Sequence, residues 1–108
     1  MKNICDLSEA LSQLDKQGGY FIDFITKTQI QAGILRLHPG DKDTQEPHHV
    51  DEVYYVIRGS GLINLNGRDH AVQQGSCIFV KSGTKHTFYG NSEDLVVFYA
   101  LSDCNGAS

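Results

Sequence analysis

The chain has 108 residues, 40% of them hydrophobic and 20% charged, and 13 acidic against nine basic residues give a net charge of −4. That length supports one packed core, and the scattered Lys and Arg residues form no cluster able to neutralise phosphates, which excludes a nucleic-acid or anionic-membrane surface. The longest apolar runs, such as residues 95–100, are too short to span a bilayer, and the opening MKNICDLSEA carries no apolar leader, so the expected compartment is the cytoplasm.

Taken in chain order, residues 6–17 read as the single helix. Ser8 is the expected N-cap, Leu7, Ala10, Leu11 and Leu14 recur at helical spacing, and Gly18-Gly19 stop it. Everything afterwards reads as short strands. Residues 20–25 and 29–37 come first, ended by Pro39-Gly40. Residues 53–58 follow, and Gly59-Ser60-Gly61 separates them from 62–65. Asn66-Gly67 is a hairpin turn, because both residues tolerate positive φ. Residues 70–73, 77–80, 86–89 and 95–101 complete the set, punctuated by Gly75, Gly83 and Gly90. Seven or eight short strands at this spacing predict an all-β fold, a sandwich or barrel in one domain over residues 1–108. The barrel would occupy about residues 20–101, and residues 102–108 would form a frayed tail. Cys5, Cys77 and Cys104 are odd in number and widely spaced, so they form no disulfide framework. Cys77, inside CIFV, is expected to be a buried small hydrophobe, and Cys5 and Cys104 to be exposed near the ends.

Two glycine-framed segments carry the chemistry. The first runs Gly40-(x5)-Glu46-x-His48-(x3)-Glu52-(x6)-Gly59, the second Gly75-(x5)-Lys81-x-Gly83-(x2)-His86. Side chains alternate across a strand, so Glu46, His48 and Glu52 would share one face with Tyr54 and Val56 if the segment is extended, while His49 would point away. A bulge near Pro47 would move Glu46 or Gln45 out of this register. Two histidines and a carboxylate suit a divalent transition metal and leave positions open for water, oxygen or substrate. His48, Glu52 and His86 make that set, and Glu46 could complete it. Tyr54 and Phe88 would face the barrel interior and line an apolar wall. Arg36 would either face solvent or reach into the pocket to hold a carboxylate, and Tyr99 would supply a hydroxyl there or pack in the core. His38 and His70 are expected at the surface.

These frames resemble the two motifs of the cupin family, G-(x5)-H-x-H-(x3,4)-E-(x6)-G and G-(x5)-P-x-G-(x2)-H-(x3)-N. Gly40, His48, Glu52 and Gly59 match the first, with Glu46 in place of the first histidine. Gly75, Gly83 and His86 match the second, with Lys81 in place of the proline and Asn91 one residue late. The resemblance covers about residues 30–101. It implies a double-stranded β-helix, or jelly-roll barrel, holding one divalent metal per chain (iron, manganese, nickel or zinc) on His48, Glu52 and His86. The fourth position would fall to Glu46, Gln45 or water. It further implies a metal-dependent enzyme on a small molecule. A dioxygenase leads, with Glu46 as a base, and isomerases and lyases follow. The alternative is a non-catalytic small-ligand or metal sensor working with a partner protein. Small cupins of this kind are commonly dimers, so a homodimer is expected, paired at an edge such as residues 20–25.

Overall fold

The computed structural model of the chain describes residues 3–26 and 28–102. One helix, α1 (Leu7–Gln17), precedes eight strands: β1 (Phe21–Ile25), β2 (Ile30–Leu37), β3 (Glu52–Arg58), β4 (Ser60–Leu65), β5 (Arg68–Gln73), β6 (Cys77–Val80), β7 (His86–Tyr89) and β8 (Leu95–Ser102). They form two antiparallel sheets, of order β1-β2-β8-β3-β6 and β5-β4-β7. Most neighbours within the sheets are non-consecutive in sequence, as a jelly roll requires. Ser102 pairs with Ile30 at the end of β8 rather than opening a tail, and residues 103–108, with Cys104, lie outside the described residues. No helix among the described residues is long and apolar enough to cross a membrane.

Alternation decides what each sheet buries. Along β3, Glu52, Tyr54 and Val56 are buried, while Val53 and Tyr55 face out. On β8, Leu95, Val97, Tyr99 and Leu101 turn inward to meet Leu35 and Leu37 of β2 and Ile63 and Phe88 of the smaller sheet, and these side chains form the main core. A second cluster lies on the outer face of the larger sheet, where Ala10 and Leu14 of α1 cover Ile34 and Val96. The helix therefore closes part of that face and leaves the inner face to the core and the site.

Several local expectations are corrected. The N-cap of α1 is Asp6, in an extended conformation, and not Ser8. Cys77 is exposed, because β6 alternates and it is Ile78 and Val80 that point inward. Between β3 and β4 the break is shorter than expected. Gly59 alone interrupts the strands, at φ 92°, and a side chain there would press into the Asp94 carbonyl. The Asn66-Gly67 turn forms with φ of 50° and 91°, the conformation that a two-residue hairpin demands.

Candidate metal centre

Residues 41–48 are not an extended strand. They form an irregular loop, and β3 begins only at Glu52, so His48 reaches Glu52 by way of the loop rather than by alternation. Two bonds hold the loop end against the β6–β7 turn. Gly83 N–H donates to the His48 carbonyl at 2.7 Å, and Ser82 N–H to Asp51 Oδ1 at 2.9 Å. Since Glu52 also pairs with Val80 across β3 and β6, the two glycine frames are stitched together at the site.

Three side chains converge there. Glu52 Oε1 lies 3.5 Å from His48 Nε2 and 3.5 Å from His86 Nε2, and the ligand atoms of all three lie within 4.8 Å of one another. Donors held at about 2.0–2.2 Å from one ion stand at most about 4.4 Å apart, so a small contraction of these side chains would seat a metal. His86 Nδ1 donates to the Thr84 carbonyl at 2.9 Å, which leaves the Nε2 lone pair facing Glu52. Glu52 Oε1 and His86 Nε2 are buried without a hydrogen-bond partner. Buried polar atoms are ordinarily paired, and a cation satisfies both at once. The donor set therefore fits a divalent transition metal.

Burial also governs the charges. Desolvation pushes Glu52 up to about 7, with Asp43 adding to it and the Tyr54 hydroxyl opposing. Desolvation holds His48 below its ordinary value, helped by His86 and His49. The neutral imidazole needed for coordination is thus favoured, and Glu52 would gain its charge when a cation arrives.

The other expected residues scatter. Glu46 is exposed and outside the converging group, although it lines the adjoining cavity. Gln45 is committed elsewhere, since its Nε2 donates to Asp43 Oδ1 and its Oε1 accepts the Tyr54 hydroxyl. Tyr54 is fully buried, its ring 5.9 Å from that of His86 and edge-on to Phe88 at 4.9 Å. Phe88 is a core residue behind Tyr54 and does not line the cavity beside the triad. Arg36 is not in the cavity either. It lies on the outer face, paired with Asp15 of α1 at 2.7 Å, as β2 turns Leu35 and Leu37 inward instead. His49 and His70 are exposed, and His38, also exposed, pairs with Asp94.

Tyr99 does line the cavity, a space of about 380 Å³ that also meets His48, Glu52, Asp23 and Leu101. Its hydroxyl donates to Asp23 Oδ1. Strand register explains how. Gly33 of β2 stands between Asp23 of β1 and Tyr99 of β8, and a side chain on it would collide with the Tyr99 hydroxyl and the Ile22 carbonyl. A larger groove of about 680 Å³ between α1 and β1 holds no group of three potential metal ligands among the described residues.

Asp23, Gly33 and Asp43 were not singled out in the sequence. Asp23 had a signal, a charge within the apolar strand FIDFI, whereas the buried Asp43 sits in a polar loop that gives none.

Residues 33–102 match the cupin domain family. The chain belongs to it. A Streptomyces coelicolor protein of uncharacterised role is 32% identical over 89% of this cupin and 91% of its own length. The acireductone dioxygenase of Pseudomonas fluorescens is 28% identical over 95% of this cupin, which spans only 60% of that enzyme's length. In fold, this cupin superposes on a double-stranded β-helix protein of Klebsiella pneumoniae with a TM-score of 0.81, covering 97% of this chain and 93% of that one at 18% identity.

Proposed function

We propose that this cupin is a divalent-metal-dependent enzyme acting on a small molecule, with oxygen insertion as the leading reaction class. The observation that carries the reading is the convergence of His48, Glu52 and His86, two of whose buried ligand atoms have no protein partner. The resemblance to a dioxygenase over most of this chain favours oxygen chemistry over isomerisation or elimination. Bound on two histidines and one carboxylate, an iron(II) ion would supply open positions at which dioxygen and a substrate oxygen meet. The chain's own groups would hold the ion, favour the neutral form of His48 and shape the cavity wall.

The test is elemental analysis of untagged protein prepared without chelators, beside Glu52→Ala, followed by oxygen uptake with candidate metabolites. Near-stoichiometric iron, lost in the variant, with oxygen consumed is the expected outcome. Stoichiometric metal without turnover on any substrate would reduce the protein to a ligand-binding barrel. Absence of metal after reconstitution would overturn the reading altogether. We propose as well that two copies pair into a homodimer at the β1 edge, where the strand has a strand neighbour on one side only and Phe21 is exposed.

A further inference from the structure

The cavity beside the triad has an unusual balance of charge. Its charged walls are Asp23, Glu46 and Glu52, and no Lys or Arg lines it among the described residues. Arg36 of β2 is engaged with Asp15 on the opposite face of the sheet, and Lys42, two residues before Thr44, lines a separate pocket beside β7. With a divalent ion on Glu52 and the two histidines, the three carboxylates still leave the cavity with one negative charge in excess. A carboxylate or phosphate ligand would therefore find the metal as its single cationic partner, with none of the bidentate Arg contacts that anion sites use.

Hydrogen-bond donors on a ligand would be received far better. Asp23 is a fixed acceptor, because Tyr99 donates to its Oδ1 and Gln31 Nε2 to its Oδ2 at 3.1 Å, and each oxygen keeps a further lone pair. Being held in place before a ligand arrives, it loses little freedom on binding. Glu46 adds a second acceptor at the exposed end. Tyr20 and Phe21, edge-to-face with ring centroids 5.4 Å apart, bring an aromatic surface to the same wall. Carboxylates for hydroxyl groups and an aromatic surface for a carbon skeleton together suit a compact polyol.

We propose that the cavity takes an uncharged, polyhydroxylated small molecule, with Asp23 as the specificity-determining acceptor and Glu46 disfavouring anions. The proposal rests on the metal-dependent reading above and names the substrate class of that site. Zinc-reconstituted protein, its metal content measured before each run, is titrated calorimetrically with matched pairs: glucose against glucuronate, and glycerol against glycerate. The neutral member of each pair binds at least about tenfold more tightly, the affinity scale of one charge-assisted contact. Glu46→Lys, an exposed change that leaves the core intact, shifts that ratio about tenfold towards the acid, and Asp23→Asn weakens the neutral member. Equal or tighter binding of the acids by the unaltered protein overturns the proposal, as does no heat from either neutral probe at about 10 mM. A ratio unmoved by Glu46→Lys does the same, whether or not Asp23→Asn folds. Protein that takes up no zinc overturns the metal reading instead, and the same titrations on that ion-free chain still test the selection against charge.

Discussion

At the scale of single residues, the site concentrates three groups whose charged forms are costly to bury. Replacing His48 or His86 by Ala should reduce metal affinity by about a hundredfold or more, beyond the 10–100-fold typical of outer-shell partners, with the fold retained. His49→Ala should leave it unchanged, because that side chain is exposed and outside the group. Metal content by mass spectrometry reads both, and full retention in either ligand variant would refute the assignment. Glu52 also makes a pH-dependent prediction for chelator-treated protein. Its carboxyl is raised from 4.5 to about 7, so across that window the folded chain holds a proton that the unfolded chain has released. Stability therefore falls as pH rises through the window, by at most about 3 kcal/mol, and is level above it. His48, whose value is lowered, acts in the opposite sense, losing stability as pH falls below 6.5. Comparing Glu52→Gln with the unaltered chain isolates the first effect. Ion-free Glu52→Gln should melt higher at pH 8 and the same at pH 4, with the order at pH 8 reversed once metal is added. Identical melting at both pH values in ion-free protein would show that Glu52 is not desolvated.

At the scale of elements, the loop 41–48 is held by one buried carboxylate. Asp43 Oδ2 accepts the Phe88 N–H at 2.9 Å, and Oδ1 accepts both the backbone N–H and Nε2 of Gln45. Asp43→Ala would leave the buried Phe88 amide unpaired, a loss of about 1–3 kcal/mol. It would also release the segment that carries His48, so metal affinity and melting temperature should fall together. A variant that melts lower yet binds metal normally would show that Asp43 supports β7 alone. This loop also marks where sequence reasoning reached its limit. The strands from β2 onward could be read from alternation and glycine punctuation, and β6 and β7 come out with the expected bounds. The convergence of His48, Glu52 and His86 followed from ligand chemistry and motif spacing. Of the two readings of residues 46–52, extended or broken near Pro47, the extended one did not hold, because Thr44, Gln45 and Asp51 are fastened by side-chain bonds invisible to periodicity. Cys77 fails for a related reason, and the same kind of phase decides which of its two expected positions, solvent or pocket, Arg36 takes. Each lies in an apolar run on a strand whose phase is fixed by which neighbours face the core and which face outward, to α1 beside β2 and to solvent on β6.

At the scale of the whole molecule, the helix covers only part of the outer face of the larger sheet. Val53, Tyr55 and Phe79 remain exposed on β3 and β6, away from the β1 edge. A dimer paired at β1 should sediment at twice the 12.0 kDa of one chain. Ile25→Pro, which removes a backbone donor and stiffens that strand, should dissociate it, whereas Phe79→Glu should not. Dissociation by Phe79→Glu alone would move the interface to the β3–β6 face.

The bond from Tyr99 to Asp23 passes over Gly33 and so skips one strand, tying the outermost strand of the sheet to the central one. Edge strands ordinarily fray first, since they are held along one side only. Here the edge strand is also a wall of the cavity, and its cross-tie means that the wall opens only when β8 releases it. The smallest residue in β2 thereby lets a marginal strand keep the shape of the site, so amide exchange in β1 should be slower than its edge position alone would give.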